Sequence, residues 1–352
     1  MSDIYNSNLK IKIEGSSHSE EMVLTIKNFP KGYRVNRTLI DEKLSLRRPS
    51  CSFNTSRKEE DEYYFKSGIS DEVSNGENLI IVVKNKNVNS SDYVKGEIRA
   101  NHADYPAYVK YGEDYDYRGG GKFSGRLTVP FVILGAMIMD YLSSKGIKIG
   151  SRVKQVLDIK DDEINEFSHN IDSFNHDPFP MINKNKQQMI IDKLEKIKDD
   201  SVGGEIESYI INLPVGLGEP FFNSLESELS RMIFSIPSVK GVLFGDGIDL
   251  LNHTGSEVLD TLTIEDNKVK INANHMGGIN GGLSNGNPII IHSIFKPIAS
   301  IKKTYPSINI LENKNIELAI KGRHDNFILN RACVIVDSFI SIVILDMLME
   351  AK

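Results

Sequence analysis

From Phe131 to Ser144 the chain offers almost no polar face. A helix that is apolar nearly all round must be buried on every side, so the rest of the chain has to enclose it. The C-terminal segment Arg331–Glu350 reads as a second apolar helix. Neither reads as a membrane span, which needs roughly 18 or more uninterrupted apolar residues. The run Val129–Met139 is too short, and the last segment is broken by Asp337 and Asp346. Both are expected to be core helices, with no membrane partner. The polar start, Met1–Lys12, lacks the apolar region of a secretory signal, so a cytoplasmic protein is expected.

Strands are the natural walls for such helices. Met22–Phe29 is rich in β-branched and apolar residues and is stopped by Pro30 and Gly32. Leu79–Lys84 is a short continuous apolar run of the kind that makes a buried strand. Further strands are expected at Ile206–Leu213, Gly241–Phe244 and Pro288–Phe295. Helices are expected at Arg37–Leu46, at the amphipathic Gln187–Asp199, and at Glu219–Ile236 with Pro220 near its first turn. Lys95–Ser124 has neither period and reads as a long structured loop, which is usually functional. Both element types run through both halves, so the class is α/β or α+β. The 352 residues allow one large domain or two fused ones.

Several chemistries are disfavoured. A net charge of -6 speaks against nucleic acid as a partner, though clustered arginines could still hold an anionic small molecule. The two cysteines, Cys51 and Cys333, do not suggest a disulfide framework. The histidines lack metal-ligand spacing, so no metal is expected. There is no G-x-G-x-x-G for a nicotinamide-dependent dehydrogenase.

Five clusters remain. Gly15-Ser16-Ser17-His18-Ser19 is either a surface turn or a histidine whose small neighbours let it reach a ligand. Arg47-Arg48-Pro49 and Arg57-Lys58-Glu59-Glu60-Asp61 are either a solvated charged stretch or guanidinium forks for phosphate and carboxylate. Arg99 to Tyr105 carries His102, and Arg118 to Arg126 carries three glycines in a row. Such glycines mark positive φ or close backbone approach. Their N–H groups, beside Arg118, Lys122 and Arg126, would suit an anion. Asn274–Gly286 is a Gly-rich stretch before a strand that ends at Lys296-Pro297. It reads as a flexible loop or a cofactor cradle. Gly322-Arg323-His324-Asp325 could do acid–base work.

In this order the clusters resemble the chorismate synthase family nearly end to end. The family's G-E-S-H-G is similar to Gly15–Ser19, and its R-R-P and R-K-E-x-D to Arg47–Pro49 and Arg57–Asp61. Its R-P-G-H-A-D-Y is similar to Arg99–Tyr105, and its K-Y-G…D-x-R-G-G-G to Lys110–Gly121. Gly121–Thr128 resembles a branch variant of the next motif. V-K-G-V at Val239, the double-glycine repeat, Lys296–Ile301 and Gly322–Asp325 follow.

The resemblance implies a β-α-β sandwich, with antiparallel sheets enclosing core helices, in a single domain over 1–352, assembling as a homotetramer. It implies a lyase that eliminates phosphate from 5-enolpyruvylshikimate 3-phosphate, with reduced FMN as cofactor and no net redox change. It carries the FMN contacts to Lys122, Phe123, Ser124, Gly281, Lys296, Pro297, Ile298, Ala299, Ser300, Arg323 and Arg47. It carries substrate binding to Arg48, Arg57, Arg99, Arg126 and Arg331. The catalytic residues become His18 near the flavin, His102 near the departing phosphate, and Asp325 for proton removal.

The sequence departs from the family at Ser16, Ser19, Ala100, Asn101 and Asn326. Phe53 stands where an arginine tied to a nicotinamide site often occurs, so NADPH is implied only if the chain reduces its own flavin. The alternative to an enzyme is a non-catalytic flavin-binding relative.

Overall fold

The fold is described from a computed structural model, for residues 4–49, 51, 53–54, 60–86, 93–164, 166–320 and 325–350. Helices in chain order are α1 (Arg37–Arg47), α2 (Asp104–Tyr111), α3 (Val129–Ser144), α4 (Phe167–Phe174), α5 (Lys184–Lys196), α6 (Leu225–Ile233) and α7 (Leu329–Glu350).

Two five-stranded antiparallel sheets enclose α3 and α7. The first runs Ile4–Asn6, Lys10–Glu14, Glu21–Lys27, Leu79–Lys84, Tyr63–Ser67. The second runs Ile159–Lys160, Lys148–Val156, Gly204–Ile211, Ile289–Phe295, Val239–Phe244. In Glu21–Lys27, Met22, Leu24 and Ile26 are buried while the residues between them are more open, as a strand with one core face requires. Helix α3 packs on the first sheet and on α7, and α7 packs on Lys148–Val156 and Gly204–Ile211 of the second. Each fully buried Ile, Leu or Val contributes roughly 1.5–3 kcal/mol, so apolar segments of this composition gain most by ending up here. Both are long and apolar enough to cross a membrane by length and composition, yet 72% and 83% of their most apolar windows are buried inside the fold.

The two helices touch at Gly135. A Cβ there would lie 2.3 Å from Ser338 Cβ. Only a residue without a side chain allows this approach. The hydroxyls this brings into the core are satisfied within it: Ser338 donates to Val334 O and Ser341 to Ser338 O.

The outer face of the second sheet is also covered. Arg152 is fully buried and pairs with Asp161 at 2.8 Å and Glu207 at 2.6 Å. Tyr209 packs among Phe167 and Phe174 of α4. With both faces buried, Lys148–Val156 shows no apolar alternation, and its charges hide it from a pattern search.

Most expected elements form within a few residues of their places. Glu219–Ile236 does not form one helix. Pro220 is extended and precedes a short 3-10 turn, Phe221–Asn223, and the helix begins only at Leu225. Ser224 caps it by accepting from Ser227 N. Lys95–Ser124 is not all loop, because it contains α2. That helix buries only Asp104 and Ala107 and so has no apolar stripe to betray it.

We predict that Gly135→Ala lowers the melting temperature by several degrees, since overpacking a filled core costs about 1–3 kcal/mol. Ser338→Gly in the same chain should recover part of the loss. An unchanged melting temperature for Gly135→Ala would contradict the close crossing.

Candidate active site

Three core helices end at one place. The C-terminus of α1 delivers Arg47 and Arg48. The turns before α3 deliver Ser124, Arg126 and Thr128. The start of α7 delivers Asp325 and Arg331. Together with Asp61, Ser238, Ile298 and Ser300 they line a cavity of about 300 Å³. Its apolar wall includes Ile236, Pro237, Phe295, Ile328 and Ile335.

Four guanidinium groups here face two carboxylates, an excess of two positive charges. Asp61 pairs with Arg126, and its second oxygen lies 3.7 Å from Arg48 Nε. Asp325 pairs with Arg331 at 2.7 Å, and Arg331 Nε donates to Arg47 O at 2.7 Å. Arg47 donates through Nη2 to Gly125 O at 3.0 Å and through Nε to Thr128 Oγ1 at 3.3 Å. Arg48 Nε and Asp61 Oδ2 are buried and make no hydrogen bond among the described residues. Buried polar atoms of this kind await a polar ligand or water.

A second cluster is built by the turns around His18 and His102. Asp104, at the start of α2, accepts from Arg99 Nε at 2.7 Å, from Arg99 Nη2 at 2.8 Å and from His102 Nδ1 at 2.7 Å. Burial pushes the Asp104 carboxyl up, but the hydrogen bonds from Arg99 and His102 outweigh it and hold the pKa at about 2. Arg99 Nη2 also donates to Gly119 O at 2.6 Å and Tyr117 O at 3.2 Å. Gly119 has φ +56, and a Cβ on it would lie 2.9 Å from the His18 ring. The Tyr93 ring joins the two parts, edge-on to His18 and beneath the Arg99 guanidinium. His18 Nδ1 and Ser17 Oγ are 2.8 Å apart.

The segment 117–128 runs from this cluster into the cavity, and Ser17 N donates to Gly121 O at 3.0 Å. The structure therefore places Arg47, Arg48, Ser124, Arg126, Ile298, Ser300, Asp325 and Arg331 around one cavity. It groups His18 and His102 beside the start of the same segment. Lys296, Pro297 and Ala299 alternate with cavity residues on the same stretch, and Lys296 N donates to Ser238 O at 3.0 Å. Burial, reinforced by Lys240, lowers the Lys296 pKa.

Other expectations change. Arg99, expected to bind substrate, is buried and spends Nε and Nη2 on protein acceptors, so it frames the histidine loop. Lys122 and Phe123 line a neighbouring cavity, which shares Ser124 and Thr128 with the first. There Lys122 Nζ sits 4.2 Å from the Tyr111 ring centroid. Gly281 lies apart from both cavities, in the tight turn between Ile279–Asn280 and Leu283–Ser284. In the glycine turn two N–H groups are already used, Gly121 N donating to Arg118 O and Phe123 N to Gly120 O. Arg57 and Arg323 lie outside the described residues.

The departures from the family pattern also find reasons. Asn101 adopts φ +58, the left-handed region that asparagine tolerates better than most residues. Ser19 Oγ accepts from Ser16 N and donates to Glu21 O. Phe53 is a core residue packed on Phe179 and Phe327. Sequence reasoning missed Asp61 and Asp104 as site residues. Their signals were present, as an acid closing a basic stretch and an H-x-D spacing.

The family model described as "Chorismate synthase" matches residues 9–349. The chain is similar to the chorismate synthase of Dehalococcoides mccartyi, 35% identical over 100% of this chain and 98% of that one. It is 38% identical to the chorismate synthase of Methanobrevibacter smithii, over 94% of this chain and 92% of that one. The fold matches a crystal structure of chorismate synthase with a TM-score of 0.72 at 23% identity, covering 97% of this chain and 92% of that chain. With a match to the family model over nearly its whole length, a site assembled from the family's motifs and the expected sandwich of antiparallel sheets, the chain belongs to the chorismate synthase family.

Proposed function

We propose that the chain, acting as a single domain over 1–352, converts 5-enolpyruvylshikimate 3-phosphate to chorismate and inorganic phosphate. The observation that carries this is the cavity lined by Arg47, Arg48, Arg126 and Arg331, which the segment 117–128 joins to the His18–His102 cluster. A substrate with one phosphate and two carboxylates needs concentrated positive charge, and an acidic protein can supply it only locally.

The residues fit reduced FMN as the cofactor. A flat ring needs an apolar wall, which Ile236, Pro237, Phe295 and Ile298 provide, and an anionic group needs the cations that border it. When bound, reduced flavin supplies electron density to the reacting ring with no net redox change. Ser124, Ile298, Ser300 and Arg47 would hold it from the cavity, with Lys296 at its edge and Lys122 and Phe123 from the adjoining one. Arg323 is assigned to it by family motif, whereas Gly281 lies apart from both cavities. Phe53 is buried and cannot serve as a nicotinamide-binding cation, which favours FMN supplied already reduced.

The chain's own residues bind and move protons. Arg48, Arg126 and Arg331 hold the anionic substrate, and Arg57 joins them by motif. His102 gives a proton to an oxygen of the departing phosphate, which lowers the cost of the charge that develops there. Asp325, oriented by Arg331, receives the proton that the ring loses. His18, against Ser17, exchanges a proton on the cofactor side.

We read the protein as a cytoplasmic homotetramer. Supporting this, Ile248, Leu251, Leu262, Ile264 and Val269 are exposed together on the segment 247–271. Exposed apolar residues in such density mark an association surface. Light scattering should give four chains in the native protein, and Ile264→Asp should shift it to smaller species. A monomeric native protein would refute the assembly.

Anaerobic assay with chemically reduced FMN should yield chorismate and phosphate in equal amounts, whereas oxidised FMN with NADPH should not. No product from protein that still binds FMN would favour a non-catalytic flavin-binding relative. His102→Ala should cut turnover about 10²- to 10⁴-fold while leaving FMN affinity unchanged. Wild-type turnover in that variant would remove His102 from the reaction.

A further inference from the structure

We infer that Asp104 is the positioning residue for His102, fixing one proton on Nδ1 so that Nε2 is the nitrogen that gives and takes the transferred proton. The inference rests on the reading of His102 as proton donor to the departing phosphate.

The H-A-D spacing puts Asp104 on the first residue of α2, two positions after the imidazole. Its carboxylate is buried and receives donors on both oxygens. Oδ2 accepts from Arg99 N at 3.0 Å and Arg99 Nε at 2.7 Å. Oδ1 accepts from Arg99 Nη2 at 2.8 Å and faces His102 Nδ1 at 2.7 Å. A carboxylate paired with a guanidinium can only accept, so Nδ1 must be the donor in both protonation states of the ring. Nε2 makes no hydrogen bond among the described residues, and the His102 side chain keeps 19% of its exposure. That nitrogen is left for a ligand.

The proton bookkeeping closes without a further group. The Nε2–H bond breaks and its electron pair stays on the ring. The proton forms an O–H bond on the departing phosphate. The imidazole returns to its neutral form with its remaining hydrogen on Nδ1, and Asp104 stays ionised beside Arg99. An inert ion pair would serve only to anchor Arg99, which Gly119 O and Tyr117 O already hold.

Asp104→Asn separates these roles. The amide oxygen keeps the two Arg99 donors on the Oδ2 side, N and Nε, so the NH₂ takes the place of Oδ1, gives up the bond from Arg99 Nη2, and turns to His102 Nδ1, which must then accept. Two-bond ¹H–¹⁵N correlation on histidine-labelled protein should show the neutral His102 ring protonated on Nδ1 in the wild type and on Nε2 in the variant. The variant's kcat should fall about 10²-fold or more, with KM and FMN affinity within about twofold. His102→Ala combined with Asp104→Asn should be no slower than His102→Ala alone, to within about twofold, because the two act as one unit. An Nε2-protonated wild-type ring, unchanged kcat in Asp104→Asn, or an additive double loss would each overturn the inference. If the variant does not fold, the wild-type spectrum still decides. Full activity in His102→Ala would instead refute the role of His102, and the tautomer measurement is independent of that result.

Discussion

The approach of α3 to α7 at Gly135 governs the rest of the structure. It sets the separation of the two sheets, because each helix packs on a different one. It also sets the site, because the turns that line the cavity are extensions of the same helices. The segment 117–128 leads into α3, Asp325 and Arg331 flank the start of α7, and α1, packed on both, ends at Arg47. A small shift at the crossing would move the arginines relative to the histidine loop, and proton transfer is sensitive to displacements of an ångström.

The charges divide into two kinds. Some are framework. Arg99 is consumed by Asp104 and by the carbonyls of Tyr117 and Gly119, and Arg152 by Asp161 and Glu207. Both are buried, where one unmatched charge costs several kcal/mol, so a facing carboxylate is what makes each tolerable. Others border the cavity with less than full neutralisation. Asp61 holds Arg126 in place and lies near Arg48, leaving Arg48 Nε with an unused bond direction. A protein with a net charge of -6 thus keeps a small cationic pocket.

Legibility in the sequence followed the source of each signal. The core helices were readable because burial on all sides leaves no polar stripe, and Leu79–Lys84 because every residue before its terminal lysine is apolar. Lys148–Val156 was unreadable for the opposite reason, since its outer face is buried through ion pairs rather than hydrocarbon. Helix α2 was hidden because its role is to present Asp104, not to cover a core. The positions of Arg126, Arg331 and Asp325 in one cavity were carried by family motif, and chain order alone could not show which arginine would be spent on the frame. Arg99 was assigned to substrate for that reason. Local motif reading gives a residue's chemistry, while its partners across the fold decide whether that chemistry is free to act.

The central claim is that the histidine loop and the arginine cavity serve one bound substrate. A crystal structure with oxidised FMN and 5-enolpyruvylshikimate 3-phosphate tests it most directly. The substrate phosphate should lie within hydrogen-bond distance of His102 Nε2 and of at least one guanidinium among Arg48, Arg126 and Arg331. Substrate seated in the cavity with His102 Nε2 turned to solvent would contradict it.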